Sequence, residues 1–280
     1  MRIAVVLAVV LSPLISFGQS KELPDVLKPD PDLVILAESS GFEVAKILPR
    51  GTFAGPFNAY KDEENPLGIR EGGSYYSFTT RNHSYNKIPQ IGLEKGMLKV
   101  GFYGLSYGFV TALGDIPLEL VELDTFPGRY LADYKPPYLY SDIREEQKRA
   151  WGFTYESFKF VSRIKATAQA TYLVRAISFD EADKLVAFKI LKIDDDGAIT
   201  IGWRSLKDFE VPRYAHETDD VLREKVAALL KNDRYVGTQF SVSKGVITVR
   251  GVPRNSVNQL TRDLQELRPR SITMSHAPIE

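Results

Sequence analysis

The 280-residue chain contains no cysteine. That absence excludes disulfides, thiolate nucleophiles, iron–sulfur clusters and cysteine-ligated zinc together. Histidine is nearly absent too: His83, His216 and His276 are the whole supply, too few for a histidine-rich metal site. No metal or cofactor is therefore expected. An excess of charge is also missing, because 36 basic side chains balance 36 acidic ones. Without a net field there is no whole-molecule attraction for nucleic acid, and any charged patch must be local. Internal repeats and low-complexity tracts are missing, which argues against propellers and solenoids. Neither a Walker nor a Rossmann glycine pattern occurs.

What is present begins with an export pattern. Met1-Arg2 is followed by an apolar run from Ile3 through Phe17, then by polar Gln19-Ser20-Lys21. Ser16 and Gly18 stand two apart, as a signal peptidase accepts, so residues 1–18 read as a signal peptide, with cleavage after Gly18 first choice and after Ser20 second. Spanning a bilayer takes roughly 20 apolar residues, and Ser12-Pro13 interrupts this stretch. The mature protein is thus expected without a transmembrane anchor, exported, and either periplasmic or secreted.

Residues 19–32, with prolines at 24, 29 and 31, read as an extended lead-in. Residues 33–212 read as a mostly-β domain, a sandwich or a barrel-like meander, so the fold class expected is α+β overall. Met97 to Phe102, Tyr107 to Leu113 and Leu118 to Val121 are predicted as successive strands of a meander. Thr171 to Phe179, Leu185 to Ile193 and Ile199 to Leu206 form three more, joined by turns at Asp180-Glu181-Ala182-Asp183 and Asp195-Asp196-Gly197. The one helix predicted in this half is Ser141 to Ala150, with Ser141 as its cap. Of 31 aromatic residues, 21 fall between Phe53 and Phe160; this is the composition of a small β core, and also of a sugar-stacking platform.

Residues 213–280 have a different texture. Leu222, Val226, Leu229 and Leu230 mark one face of a helix capped by Thr218. Tyr235 to Val242 and Val246 to Val249 are two strands joined by Ser243-Lys244-Gly245. A second helix, capped by Asn255 or Ser256, carries Val257, Leu260, Leu264 and Leu267 and ends at Pro269. Ile272-Thr273-Met274 supplies a last strand, giving the order α-β-β-α-β.

That order, with the strand, glycine turn, strand and closing glycine of Val242, Gly245, Val249 and Gly251, resembles the BON domain of bacterial envelope proteins over about a fifth of the chain. Leu267-Arg268-Pro269-Arg270 departs from the family's usual glycine and valine before the last strand. The resemblance implies an envelope location and contact with phospholipid or another envelope protein, not catalysis. Were the ligand anionic lipid, Lys231, Arg234, Arg250 and Arg254 would meet it, since the antiparallel strands return all four to one pole of the module, with only Asp233 opposing them.

Other motifs give little. Gly104-Leu105-Ser106-Tyr107-Gly108 spells the nucleophile-elbow pattern, but a strand follows the serine where a helix is required, so it reads as a turn. Asp194-Asp195-Asp196-Gly197 fails as a calcium loop because its twelfth position is Trp203. His216-Glu217 lacks a second histidine at zincin spacing. Asn82-His83-Ser84 is a glycosylation sequon only in a eukaryotic host. The reading is a non-enzymatic envelope protein. The alternative is a secreted glycan hydrolase or a carbohydrate-binding protein using the aromatic-rich domain, recognisable by a groove lined by Tyr75, Tyr76, Tyr103 or Trp151, with facing carboxylates in the hydrolase case.

Overall fold

The computed structural model describes residues 23–52, 67–83, 85–86, 88–267 and 269–275. The expected leader and its cleavage point, the first residues of the lead-in, Ser84 of the sequon, Arg268 and His276 lie outside the described residues.

The prolines near the start do not keep the chain extended. Asp30 Oδ1 accepts the Asp32 amide at 3.2 Å and Pro31 occupies the first turn, so a helix, α1 (Pro31–Ser39), starts inside the predicted lead-in. Proline suits this place because its missing N–H has no intrahelical partner there and its φ is already helical. Just before it, Leu27 in the turn Asp25–Leu27 is fully buried against Leu48 and Ala198.

The body is built on a five-stranded antiparallel sheet. Its centre is the predicted run of three, β9 (Thr171–Ser178), β10 (Ala182–Ile193) and β11 (Ile199–Asp208). Two strands distant in sequence close its borders: β1 (Glu43–Ile47) pairs with β11 and β5 (Ser106–Gly114) with β9. All eight residues of β9 are buried, so both faces of the sheet must be covered.

One face, with Tyr172, Val174, Phe188, Ile201 and Trp203, packs on Tyr76, Ile91, Leu93 and Leu98. These belong to a second sheet of β2 (Tyr75–Tyr76), β3 (Ile91–Glu94), β4 (Met97–Lys99) and β8 (Arg163–Lys165). The opposite face, with Leu173, Ile177 and Leu185, meets Leu131 of α2 (Gly128–Asp133), Ile143 of α3 (Tyr140–Arg149) and Phe160 of the hairpin β6 (Phe153–Tyr155) and β7 (Phe158–Phe160). The layers are therefore sheet, sheet, and a cover of helices and hairpin. The chain is α+β with mostly antiparallel sheets.

Several local expectations are corrected. Leu118–Leu120 is a 3-10 turn after Pro117, in which Leu118 and the following Val121, three residues apart and so on one side of such a turn, are buried while Leu120 is exposed. The runs at 97 and 107 are not neighbours in a meander: β4 lies between β3 and β8 while β5 joins β9. Gly101 at φ 76° turns the chain from one sheet to the other. Asp183 belongs to β10, not to a turn, and is buried. Ser141 does not cap α3; Leu139 precedes the helix, and the Ser141 hydroxyl donates to Glu217 at 2.7 Å.

The C-terminal module contains α4 (Asp219–Leu229), β12 (Gln239–Ser243), β13 (Val246–Arg250), α5 (Val257–Glu266) and β14 (Ser271–Ser275), in the predicted order. Its sheet runs β12-β13-β14, with β14 parallel to β13 and Ile247 opposite Ile272. Leu222, Val226, Ile247, Val249, Leu260 and Leu264 form its own core. β12 starts later than expected, because Tyr235 lies in a 3-10 turn capped by Asn232, where it is buried with its hydroxyl donating to Asp263 on α5. The connection to the body is stitched down: Ala215 bridges Leu139, with the Tyr140 amide donating to Ala215 O and the Ala215 amide to Tyr138 O, both at 2.8 Å.

Candidate functional site

The four predicted cations are all exposed, and the backbone brings them to one pole. Gln239 stands opposite Arg250 in the β12–β13 ladder, so the end of β13 returns beside the start of β12. The Ser256 hydroxyl donates to Arg234 O at 3.1 Å, which ties the start of α5, with Arg254 two residues earlier, to the turn carrying Arg234. Lys231 leads into that same turn. Among the described residues, the module's ion pairs, Arg223 with Asp220 and Lys225 with Glu217, lie in and just before α4 and use none of the four. Asp233 is the acid within the cluster, whereas Asp263 accepts from Tyr235 and Gln259.

Tyr235, the aromatic residue beside this pole, is not its apolar contact. Tyr235 is only 2% exposed, and burial with its bond to Asp263 pushes the phenol up to about 12. Its neighbour Val236 is 71% exposed and stands next to Gly237 at φ 83°. A tyrosine followed by a valine and glycine could have signalled this, since one side chain of such a turn must point inward.

The motif residues act as scaffold. Val242 and Val249 face the module core. Lys244 at φ 53° and Gly245 at φ 75° form the tight hairpin turn, whose two amides donate to Asp219 at 2.7 Å each. These bonds hold the Asp219 carboxyl below its ordinary range. Gly251 also takes a positive φ, 70°, so its backbone conformation is reason enough for glycine.

A second feature is a cleft of about 970 Å³ between body and module, which takes in Tyr103 and Trp151 of the groove named for the glycan alternative. Tyr103, Arg144, Gln147, Lys148 and Trp151 line the body wall; Thr261, Gln265, Ser271, Ile272 and Met274 line the module wall. Trp151 is 76% exposed, while Tyr75 and Tyr76 are buried and do not line the cleft. Among the described residues no aspartate or glutamate lines the cleft. Ser106 sits here too, but its hydroxyl accepts the Phe102 and Tyr103 amides at 3.0 Å and donates to Tyr103 O at 2.7 Å, which makes it a turn residue before a strand, as expected.

No family model matches the chain, and searches of curated proteins and of solved structures find no match either. Among the described residues no helix is long and apolar enough to cross a membrane.

Proposed function

We propose that this is an exported, non-enzymatic envelope protein whose BON-like C-terminal module binds an anionic phospholipid surface through Lys231, Arg234, Arg250 and Arg254. The observation that carries the reading is the gathering of these four exposed cations at one pole with Val236 standing out beside them. Each cation contributes about 1 kcal/mol near an anionic surface, decaying over a Debye length of roughly 8–10 Å. Val236 adds an apolar contact that the interface rewards. Export rests on the leader pattern of residues 1–18, and the BON likeness on Val242, Gly245, Val249 and Gly251. The hydrolase alternative needs facing carboxylates, which the described lining of the large cleft does not supply.

Flotation with vesicles containing phosphatidylglycerol tests the reading. Binding is expected at low salt, to weaken as salt rises, and to be lost when all four cations are changed to glutamine. Val236→Asp should weaken it further. Binding indifferent to both salt and the fourfold substitution would overturn the proposal.

A further inference from the structure

The cleft has one wall of an uncommon kind. The module's sheet order puts β14 at a border, and the outer edge of residues 272–274 meets no other strand among the described residues. Three residues of β14 line the cleft and none of β13 does, so the open edge looks into the cavity rather than away from it. A strand edge carries main-chain donors and acceptors that a further extended segment satisfies by continuing the ladder. The opposite wall supplies what such a segment's side chains need. Trp151, 76% exposed, offers a broad apolar face. Arg144 and Lys148 project from the exposed side of α3, and their own contacts, to Gln147, Gly104 O and Glu145, are at the surface. The described lining holds these two cations and no carboxylate, and although Glu145 already pairs with Lys148 at 3.0 Å the partners of Arg144 are neutral, which favours an acidic occupant.

The geometry points to a peptide-binding groove: an extended, acidic segment of a partner protein adds as a fourth strand on β14, resting its apolar side chains on Trp151 and its carboxylates against Arg144 and Lys148. The lipid pole uses other residues, so the two sites are separable by mutation.

The test uses the full mature chain and a fluorescein-labelled peptide of alternating valine and glutamate. Saturable binding is expected by anisotropy, weakened by about tenfold or more, a ratio of dissociation constants, in Trp151→Ala and in Lys148→Gln. The same loss is expected when alternate peptide nitrogens are methylated, because ladder hydrogen bonds then cannot form. Because Trp203 is only 1% exposed, acrylamide quenching reports Trp151 and should fall as the groove fills. The lipid-pole glutamine variant should bind the peptide unchanged. The proposal is overturned if no saturation occurs up to about 1 mM peptide, if methylation has no effect, if an alternating valine and lysine peptide binds equally well, or if an oligogalacturonate protects Trp151 where the peptide does not. That last result would assign the cleft to acidic sugars.

Discussion

Arg175 is the residue whose chemistry most constrains the body. It sits in the middle of an apolar strand, 1% exposed, and forms a two-pronged pair with Asp183, Nε to Oδ1 at 2.9 Å and Nη2 to Oδ2 at 2.8 Å. Its remaining nitrogen donates to Leu131 O at 2.5 Å and Tyr134 O at 2.6 Å, and the guanidinium lies 3.6 Å over the Phe209 ring. One side chain thus fastens the sheet to α2 and the chain after it. Burial pushes the Asp183 carboxyl up while Arg175 pulls it down. Asp183→Ala, which leaves the cation buried and unpaired, should cost about 3–5 kcal/mol in urea unfolding. Arg175→Met combined with Asp183→Leu should recover much of that loss; equal damage from both variants would show that the carbonyl contacts matter more than the charge. His83 gives a pH prediction. Burial lowers its basicity against the weaker opposing effect of its bond to Lys46 O, 2.8 Å away. A histidine with a depressed folded-state pKa leaves the unfolded chain binding the extra proton, so stability is full above about 6.5 and falls as pH drops below it. Urea midpoints between pH 8 and pH 5 should fall less in His83→Gln than in the unaltered chain.

At the scale of elements, the hairpin turn of the module is the sharpest case of local chemistry. Lys244 and Gly245 both take positive φ, the type I′ arrangement that suits the twist of the strands. A Cβ on Gly245 would lie 3.2 Å from Arg270 Cβ, whereas one on Gly237 would meet nothing within 4 Å. Gly245→Val should therefore destabilise by about 1–2 kcal/mol through the left-handed backbone, and by more than Gly237→Val, as read from thermal unfolding of the module. Equal effects would show that Arg270 yields freely. A different glycine role appears at Gly108, where a Cβ would stand 2.6 Å from Arg175 O, so β5 and β9 approach too closely for any side chain there.

At the scale of the molecule, every buried residue of the module core comes from the module itself. Expressed from Tyr214, it is expected to fold alone with the circular dichroism of a mixed helix and strand unit. It should be less stable than within the full chain, because the Ala215 bridge to Leu139 and the Ser141 bond to Glu217 are lost and domains of this size bury modest area. A spectrum lacking helix would mean that the core needs the body. The same stitches hold the module beside the body, which makes the cleft a feature of the whole chain and absent from either part.

The sequence by itself determined whatever is decided within a few residues. The strands β9 to β11, the two amphipathic helices of the module, the Thr218 cap, which accepts the Val221 amide at 3.4 Å, and the glycine turn follow from periodicity, capping and φ preference. The hairpin also returns Arg250 to the start of β12 at Gln239, whereas Arg234 is brought toward the start of α5 by the tertiary bond from the Ser256 hydroxyl. Tertiary structure alone decided that β1 and β5 border the central sheet, that Asp183 answers Arg175, that Tyr75 and Tyr76 are core while Trp151 is surface, and that Ser271, Ile272 and Met274 of β14 line a cleft. These depend on which whole faces are covered by segments far away in the chain, and local propensity carries no information about a covering partner.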